Sequence, residues 1–141
     1  MAKKILKIDY SESFDFFLAG IVCGYKDYRV CFELNALLNI SFKRLTDHSI
    51  NTGKLGAKSF YAFYGFKNKF GHEYYILSNK GTSGTLIPEK ATIDYFLVLK
   101  SEEKNIDFRS ILKQIKTLEV ITAVTQIEPS SLKSAENLLF D

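Results

Sequence analysis

Two aspartates occupy matching places in the two halves of this chain, Asp15 in Phe14-Asp15-Phe16-Phe17-Leu18 and Asp94 in Ile93-Asp94-Tyr95-Phe96-Leu97. Aspartate is depleted in strands, so a matched pair near two strand starts invites a chemical reading: two carboxylates for acid–base work or for a divalent ion, with Glu89 as a third acid. The competing reading is a pair of solvent-facing or backbone-bonded residues. It is the stronger one, because no histidine or further ligand is spaced to join them. His48 and His72 fall in or beside expected loops, and read as loop residues rather than general bases. Cys23 and Cys31 lack the spacing of a zinc site and read as small core residues. There is no G-x-S-x-G elbow, no H-E-x-x-H, no phosphate loop and no G-x-G-x-x-G fingerprint. Gly81-Thr82-Ser83-Gly84 lacks the Gly-Lys that would hold phosphate. The expectation is a protein without a catalytic residue, a metal or a cofactor.

Charge is spread unevenly. Residues 41–72 hold Lys43, Arg44, Lys54, Lys58, Lys67 and Lys69 against Asp47 alone, a net +5 in a chain of net +3. The same stretch carries Phe60, Tyr61, Phe63, Tyr64, Phe66 and Phe70. Basic and aromatic residues interleaved on a hairpin can contact phosphates and stack on bases, as in single-stranded nucleic-acid binders. The stretch lacks the pattern of an RNA-recognition strand, and aromatic hairpins commonly pack on their own core. A solvated basic edge that resists aggregation is the alternative.

These residues need a scaffold, and the periodicities supply one. Apolar positions 30, 31, 34, 37 and 38 form a helical stripe behind Asp27, and 108, 111, 112, 115 and 118 form another, so helices are predicted over 27–38 and 106–118. Residues 14–23 are apolar on both alternating sets, as in a central strand; 93–100 and 120–127 are further strands and 40–45 a shorter one. Residues 57–66 and 72–79, joined by Lys67-Asn68-Lys69-Phe70-Gly71, read as a hairpin. Residues 2–10 are a candidate edge strand, and 47–56 and 79–91 read as loops. The matched aspartates, with Asp27-Tyr28-Arg29 matching Asp107-Phe108-Arg109, suggest a repeated strand–helix–strand unit around the hairpin, similar to the ferredoxin-like plan.

The predicted fold class is therefore α+β: one domain over 1–141, a two-layer sandwich of a mostly antiparallel sheet with both helices on one face. Twelve Phe and eight Tyr among 141 residues give such a core enough apolar area to do without disulfide or metal staples. Residues 1–9 offer no apolar stretch long enough for a secretory signal, and no run approaches a membrane span, so a cytoplasmic protein is expected. The tail ends in Leu138-Leu139-Phe140, which must fold back or meet another chain, and an exposed Phe140 would point to a homodimer.

Ile87-Pro88-Glu89, followed after three residues by Ile93-Asp94-Tyr95, resembles the signature I-P-E-x-x-x-V-D-Y of the bacterial IPExxxVDY family, with Ile93 in place of valine. The Asp27-Tyr28-Arg29 helix head, Asn35, Asn79-Lys80 and Asn137-Leu138-Leu139-Phe140 extend the similarity over nearly the whole chain. The resemblance carries over no catalytic residue. Read physically, Pro88 suits the lead-in to a strand near residue 92, because it cannot donate a ladder hydrogen bond and extends Ile87. The functional expectation is a small non-enzymatic binding or interaction module, with RNA or other nucleic-acid binding through residues 41–75 as the alternative.

Overall fold

The structure is a computed structural model that describes residues 14–140 apart from positions 54 and 104. The candidate edge strand over 2–10 and the candidate contact residue Lys54 lie outside the described residues. The described chain is α+β. Strand β1 (Phe17–Val22) leads to helix α1 (Asp27–Leu38), followed by β2 (Lys43–Arg44), β3 (His48–Asn51), β4 (Lys58–Tyr61), β5 (Phe63–Lys67), β6 (Glu73–Ser78), β7 (Lys80–Gly81), β8 (Gly84–Thr85) and β9 (Tyr95–Lys100). Helix α2 (Phe108–Ile115) and β10 (Ala123–Ile127) complete the elements, with short 3-10 turns at Pro88–Lys90, Pro129–Ser131 and Ala135–Leu138. Six strands form an antiparallel sheet in the order β10-β1-β9-β6-β5-β2, and β3-β4 and β7-β8 are separate two-stranded ribbons.

Both helices form where the apolar stripes place them. Asp27 puts a negative charge in the first turn of α1, and Asn39 ends it in the left-handed conformation (φ 55°), one that asparagine tolerates better than most residues. Asp107 caps α2 by accepting the Ser110 N–H at 3.1 Å. This helix stops at Ile115, three residues short of the expected end. The Thr117 and Leu118 N–H groups bond back to Gln114 and Ile115 in tight turns instead.

Helix-facing strand residues such as Ala19, Ile21, Ile76, Leu97 and Leu99 pack with Val30, Leu34, Leu112 and Ile115 into one core. The opposite sheet face buries Leu18, Leu77, Phe96 and Val98 under a second layer made by the β3–β4 ribbon, residues 79–93 and the tail. Strand β9 is buried over five consecutive residues because both of its faces are covered. At roughly 1.5–3 kcal/mol per fully buried large apolar side chain, that strand alone anchors a substantial part of the core.

Several expected boundaries shift. Residues 57–66 divide at Ala62, and β4 leaves the main sheet to pair with β3, which lies inside the segment expected to be a loop. The segment 79–91 folds into the β7–β8 ribbon and a 3-10 turn. Gly81 lies so close to Tyr61 that an added Cβ would fall 2.4 Å from its ring. The repeat drawn through residues 40–45 also needs correction: β2 lies at the sheet edge with three strands between it and β1, whereas β10 lies beside β1 and one strand from β9. The strand separated from β1 by one neighbour is β6.

The tail folds back. Phe140 is half-buried, with its ring edge-on to Phe63 at 4.7 Å and to Tyr75 at 4.8 Å, so it gives no ground for a dimer through an exposed terminal ring. Irregular chain buried against a sheet needs partners for its polar backbone, and Asn79 supplies them. Its side chain, fully buried, donates to the Lys90 and Ile93 carbonyls at 2.9 and 2.8 Å and accepts the Ile87 N–H at 2.8 Å. Asn79→Ala should therefore cost about 3 kcal/mol, since it strands the buried Ile87 N–H and Ile93 carbonyl; chemical denaturation of the two proteins checks this.

Candidate binding groove

Strand register assembles a broad depression on the surface from residues far apart in sequence. Lys43 stands opposite Gly65, Gly65 opposite Tyr75, Lys67 opposite Glu73, and Glu73 opposite Lys100. These residues share the face that carries the second layer, at the end of the sheet that the layer leaves open. One hollow of about 480 Å³ is lined by Lys43, Leu45, Gly65, Phe66, Lys67, Glu73 and Tyr75. Another of about 620 Å³ is lined by Asp15, Lys67, Phe70, Glu73, Lys100 and residues 101–103. Lys67 and Glu73 border both, so the two hollows make one groove across the strand ends. Its floor at one end is apolar: Leu45 and Tyr75 close over Gly65, where an added Cβ would lie 2.8 Å from Leu45 and 3.1 Å from the Tyr75 ring.

Several polar groups of the groove are engaged within the protein. Tyr75 donates its hydroxyl to Glu73 Oε1 at 2.5 Å, and burial, followed by that carboxylate, holds its phenol well above the usual range. Lys100 Nζ sits 4.2 Å from the centre of the Phe140 ring and 5.7 Å from that of Tyr75, which joins the tail to the groove wall. At the β5–β6 turn, Asn68 Oδ1 accepts the N–H groups of Phe70 and His72, and Gly71 takes the positive φ of 85° that the turn requires. His72 Nε2 lies 3.6 Å from Glu103 Oε2.

The five described basic residues among those singled out by charge do not form one patch. Lys43 and Lys67 line the groove, and Lys69 lies over the Phe70 ring, 5.3 Å from its centre, at the adjoining turn. Lys58 belongs to the β3–β4 ribbon. Arg44 projects from the helix face of β2, pairing with Asp27 at 3.1 Å and Asp47 at 2.7 Å beside the Tyr64 ring. It ties α1 to the sheet edge.

The aspartate pair is undone by the antiparallel register. Residue 94 comes level with Val22, the far end of β1 from Asp15, a separation of about 20 Å at ~3.3 Å per residue. Asp94 Oδ2 instead accepts the Cys23 N–H at 2.8 Å. Glu89 accepts the Ser134 N–H at 2.7 Å and its hydroxyl at 2.9 Å, fastening the tail. Ile87 is extended, as its place before Pro88 predicts, but Pro88–Lys90 form a 3-10 turn rather than a lead-in to a strand, which begins only at Tyr95; Ile87, Ile93 and Tyr95 are buried. Every polar side chain of the motif thus holds backbone or chain: Tyr95 donates its hydroxyl to the Tyr25 carbonyl.

Nucleophiles and bases fare no better. Burial pushes the Cys31 thiol up to about 12, with Asp27 adding to the effect, and burial also raises Cys23. His48 Nε2 lies 2.7 Å from the Asn137 carbonyl, an acceptor, so that nitrogen carries the proton and donates. The Thr82 and Ser83 N–H groups, which a phosphate would need, are bonded to Phe60 O and Ser59 Oγ. Among the described residues no three His, Cys, Asp or Glu side chains converge to hold a metal, and no helix is long and apolar enough to cross a membrane.

The groove residues Gly65, Glu73, Tyr75 and Lys100 were not singled out from the sequence. Alternation within the strand places Glu73 and Tyr75 on one face, but only the strand order brings Lys67 and Lys100 beside them. No family model matches the chain, and no curated protein or solved structure matches it either. The resemblance to the IPExxxVDY family rests on the sequence of this chain alone.

The Glu89 clasp has a pH signature. Partial burial pushes its carboxyl up, but the Ser134 N–H, nearby backbone N–H groups and the Ser134 hydroxyl outweigh this and hold it below the ordinary range. A depressed folded value stabilises the fold above the unfolded value, and that stability is lost as pH falls through the folded one. Glu89→Gln should cost up to about 1 kcal/mol at neutral pH, given the exposure of the site, and nothing once both forms are uncharged. Thermal unfolding of both proteins across the acid range checks the convergence.

Proposed function

We propose that the protein is a non-enzymatic binding module that receives a polypeptide segment in the groove between Lys43 and Lys100. The observation that carries this reading is the sequence of surfaces along the groove: an apolar floor at Leu45, Gly65 and Tyr75, then charges of alternating sign at Lys67, Glu73 and Lys100. A peptide offers apolar side chains, both signs of charge and backbone polar groups to such a surface. A polyanion suits it less. Asp15, Glu73, Glu102 and Glu103 border the larger hollow and would repel a run of phosphates. The hydrogen-bonded state of Asp94, Glu89 and His48 and the burial of both thiols support a binding rather than a catalytic role. Membership of the IPExxxVDY family belongs to the same proposal; its support is that the motif residues each hold a specific part of this fold together.

A second reading, single-stranded RNA, is favoured by the exposed Phe70 ring with Lys69 over it, next to Lys43 and Lys67 at the basic end. Binding of an oligonucleotide by these three lysines would show a slope of log K against log salt of about −2, at ~0.7 per neutralised phosphate of a single strand.

Selection of random displayed peptides on the immobilised chain tests the first reading. Enriched peptides should lose at least about tenfold in affinity on Lys67→Glu, an exposed position whose substitution leaves thermal stability in place. Failure to enrich any peptide, or peptides indifferent to Lys67→Glu, rejects the groove as the site. Oligonucleotide binding with the slope above would transfer the proposal to RNA.

A further inference from the structure

The face of α1 that points away from the sheet carries more apolar surface than a helix in contact with water alone requires. Val30, Cys31 and Leu34 form its inner stripe, so at 100° per residue Tyr28 and Phe32 fall on the outer side, one turn apart, with Ala36 continuing the row. Tyr28 and Phe32 are each 66% exposed, and Tyr25, just before the helix, is 49% exposed. Exposed rings in a contiguous row mark an interaction surface more often than isolated ones. The row lies on the opposite side of the sheet from the groove, and nothing in the groove reading accounts for it.

We propose that this row is a self-association surface, on which a second copy of the chain lays its own α1 antiparallel across a two-fold axis. Charge selects that occupant. Arg29 and Glu33 flank the row on one side, four residues apart, and pair within the helix at 3.1 Å. Reversing the direction of a second α1 sets its Glu33 against Arg29 and its Arg29 against Glu33. The flank is therefore complementary to itself in one orientation, as an isologous contact demands. In a parallel pair the two-fold axis would set this flank against the opposite flank of the partner, and the Arg29–Glu33 complementarity would be lost.

Size sets the strength. A ring buries on the order of 150–250 Å² when fully covered. At the observed exposures the three rings offer about 350 Å² per protomer, roughly 700 Å² for the pair before flanking residues are added, which places the contact among weak, reversible complexes. Arg29 over the Tyr25 ring, 5.5 Å from its centre, extends the flank and completes a polar rim.

Sedimentation equilibrium of the full chain from micromolar to millimolar concentration tests this. The expected result is a reversible monomer–dimer equilibrium whose dissociation constant rises at least about tenfold on Phe32→Ser. Arg29→Glu and Glu33→Arg should each weaken the dimer alone. Mixed in equal amounts they should associate more tightly than either variant by itself, because the acidic flank of one then faces the basic flank of the other. All these positions are at the surface, and circular dichroism checks that each variant stays folded. A chain that remains monomeric throughout, a dimer indifferent to Phe32→Ser, or a mixture no tighter than its components would overturn the proposal. The first outcome would leave the face to a different protein.

Discussion

A strand buried on both faces obliges the rest of the chain to supply two coverings, and β9 imposes that demand here. Helices α1 and α2 meet it on one side with their apolar stripes, where the backbone hydrogen bonds are internal to each helix. On the other side the cover is largely irregular chain, which must find partners for its polar backbone groups residue by residue. Asn79 bonds residues 87, 90 and 93; Asn137 donates to the Leu86 carbonyl; Thr82 and Ser59 bond the β7–β8 turn to β4. Glu89 and His48 fasten the tail to this layer from either side. The polar side chains that draw the eye as candidate chemistry are consumed by this task.

The same division explains where the sheet face is left uncovered. The irregular layer covers the sheet from Phe96 and Leu77 as far as Phe63 and Tyr75, and Phe140 closes its edge. Beyond that edge the strands continue for about one more residue pair, exposing Lys67, Glu73 and Lys100 in register. The groove is what remains of the sheet face after the tail has been placed. Its walls are firm because Lys100 is drawn onto Phe140 and Tyr75 onto Glu73. Preformed walls of this kind lower the cost of ordering on association.

The α1 face and the groove lie on opposite sides of the sheet, so association of two copies through one leaves the other open. A module that pairs through α1 would present two grooves, and an extended partner with two matching segments would gain affinity from their linkage.

Periodicity alone determined that the chain is α+β, that helices begin at Asp27 and beside Asp107, and that residues 14–23, 93–100 and 120–127 supply strands, because side-chain spacing reports which local geometry can bury an apolar face. Local pattern did not separate β4 from β5, since the change of partner at Ala62 depends on a ribbon formed with residues 48–51. The short β2 and the early end of α2 were likewise decided by what each segment packs against. Charge counting found Lys43 and Lys67 but grouped them with Arg44, which faces the other way because strand residues alternate. Tertiary structure alone decided the separation of Asp15 from Asp94, the fastening role of Glu89 and Asn79, and the meeting of Gly65, Glu73, Tyr75 and Lys100, since strand order joins residues that no sequence spacing connects.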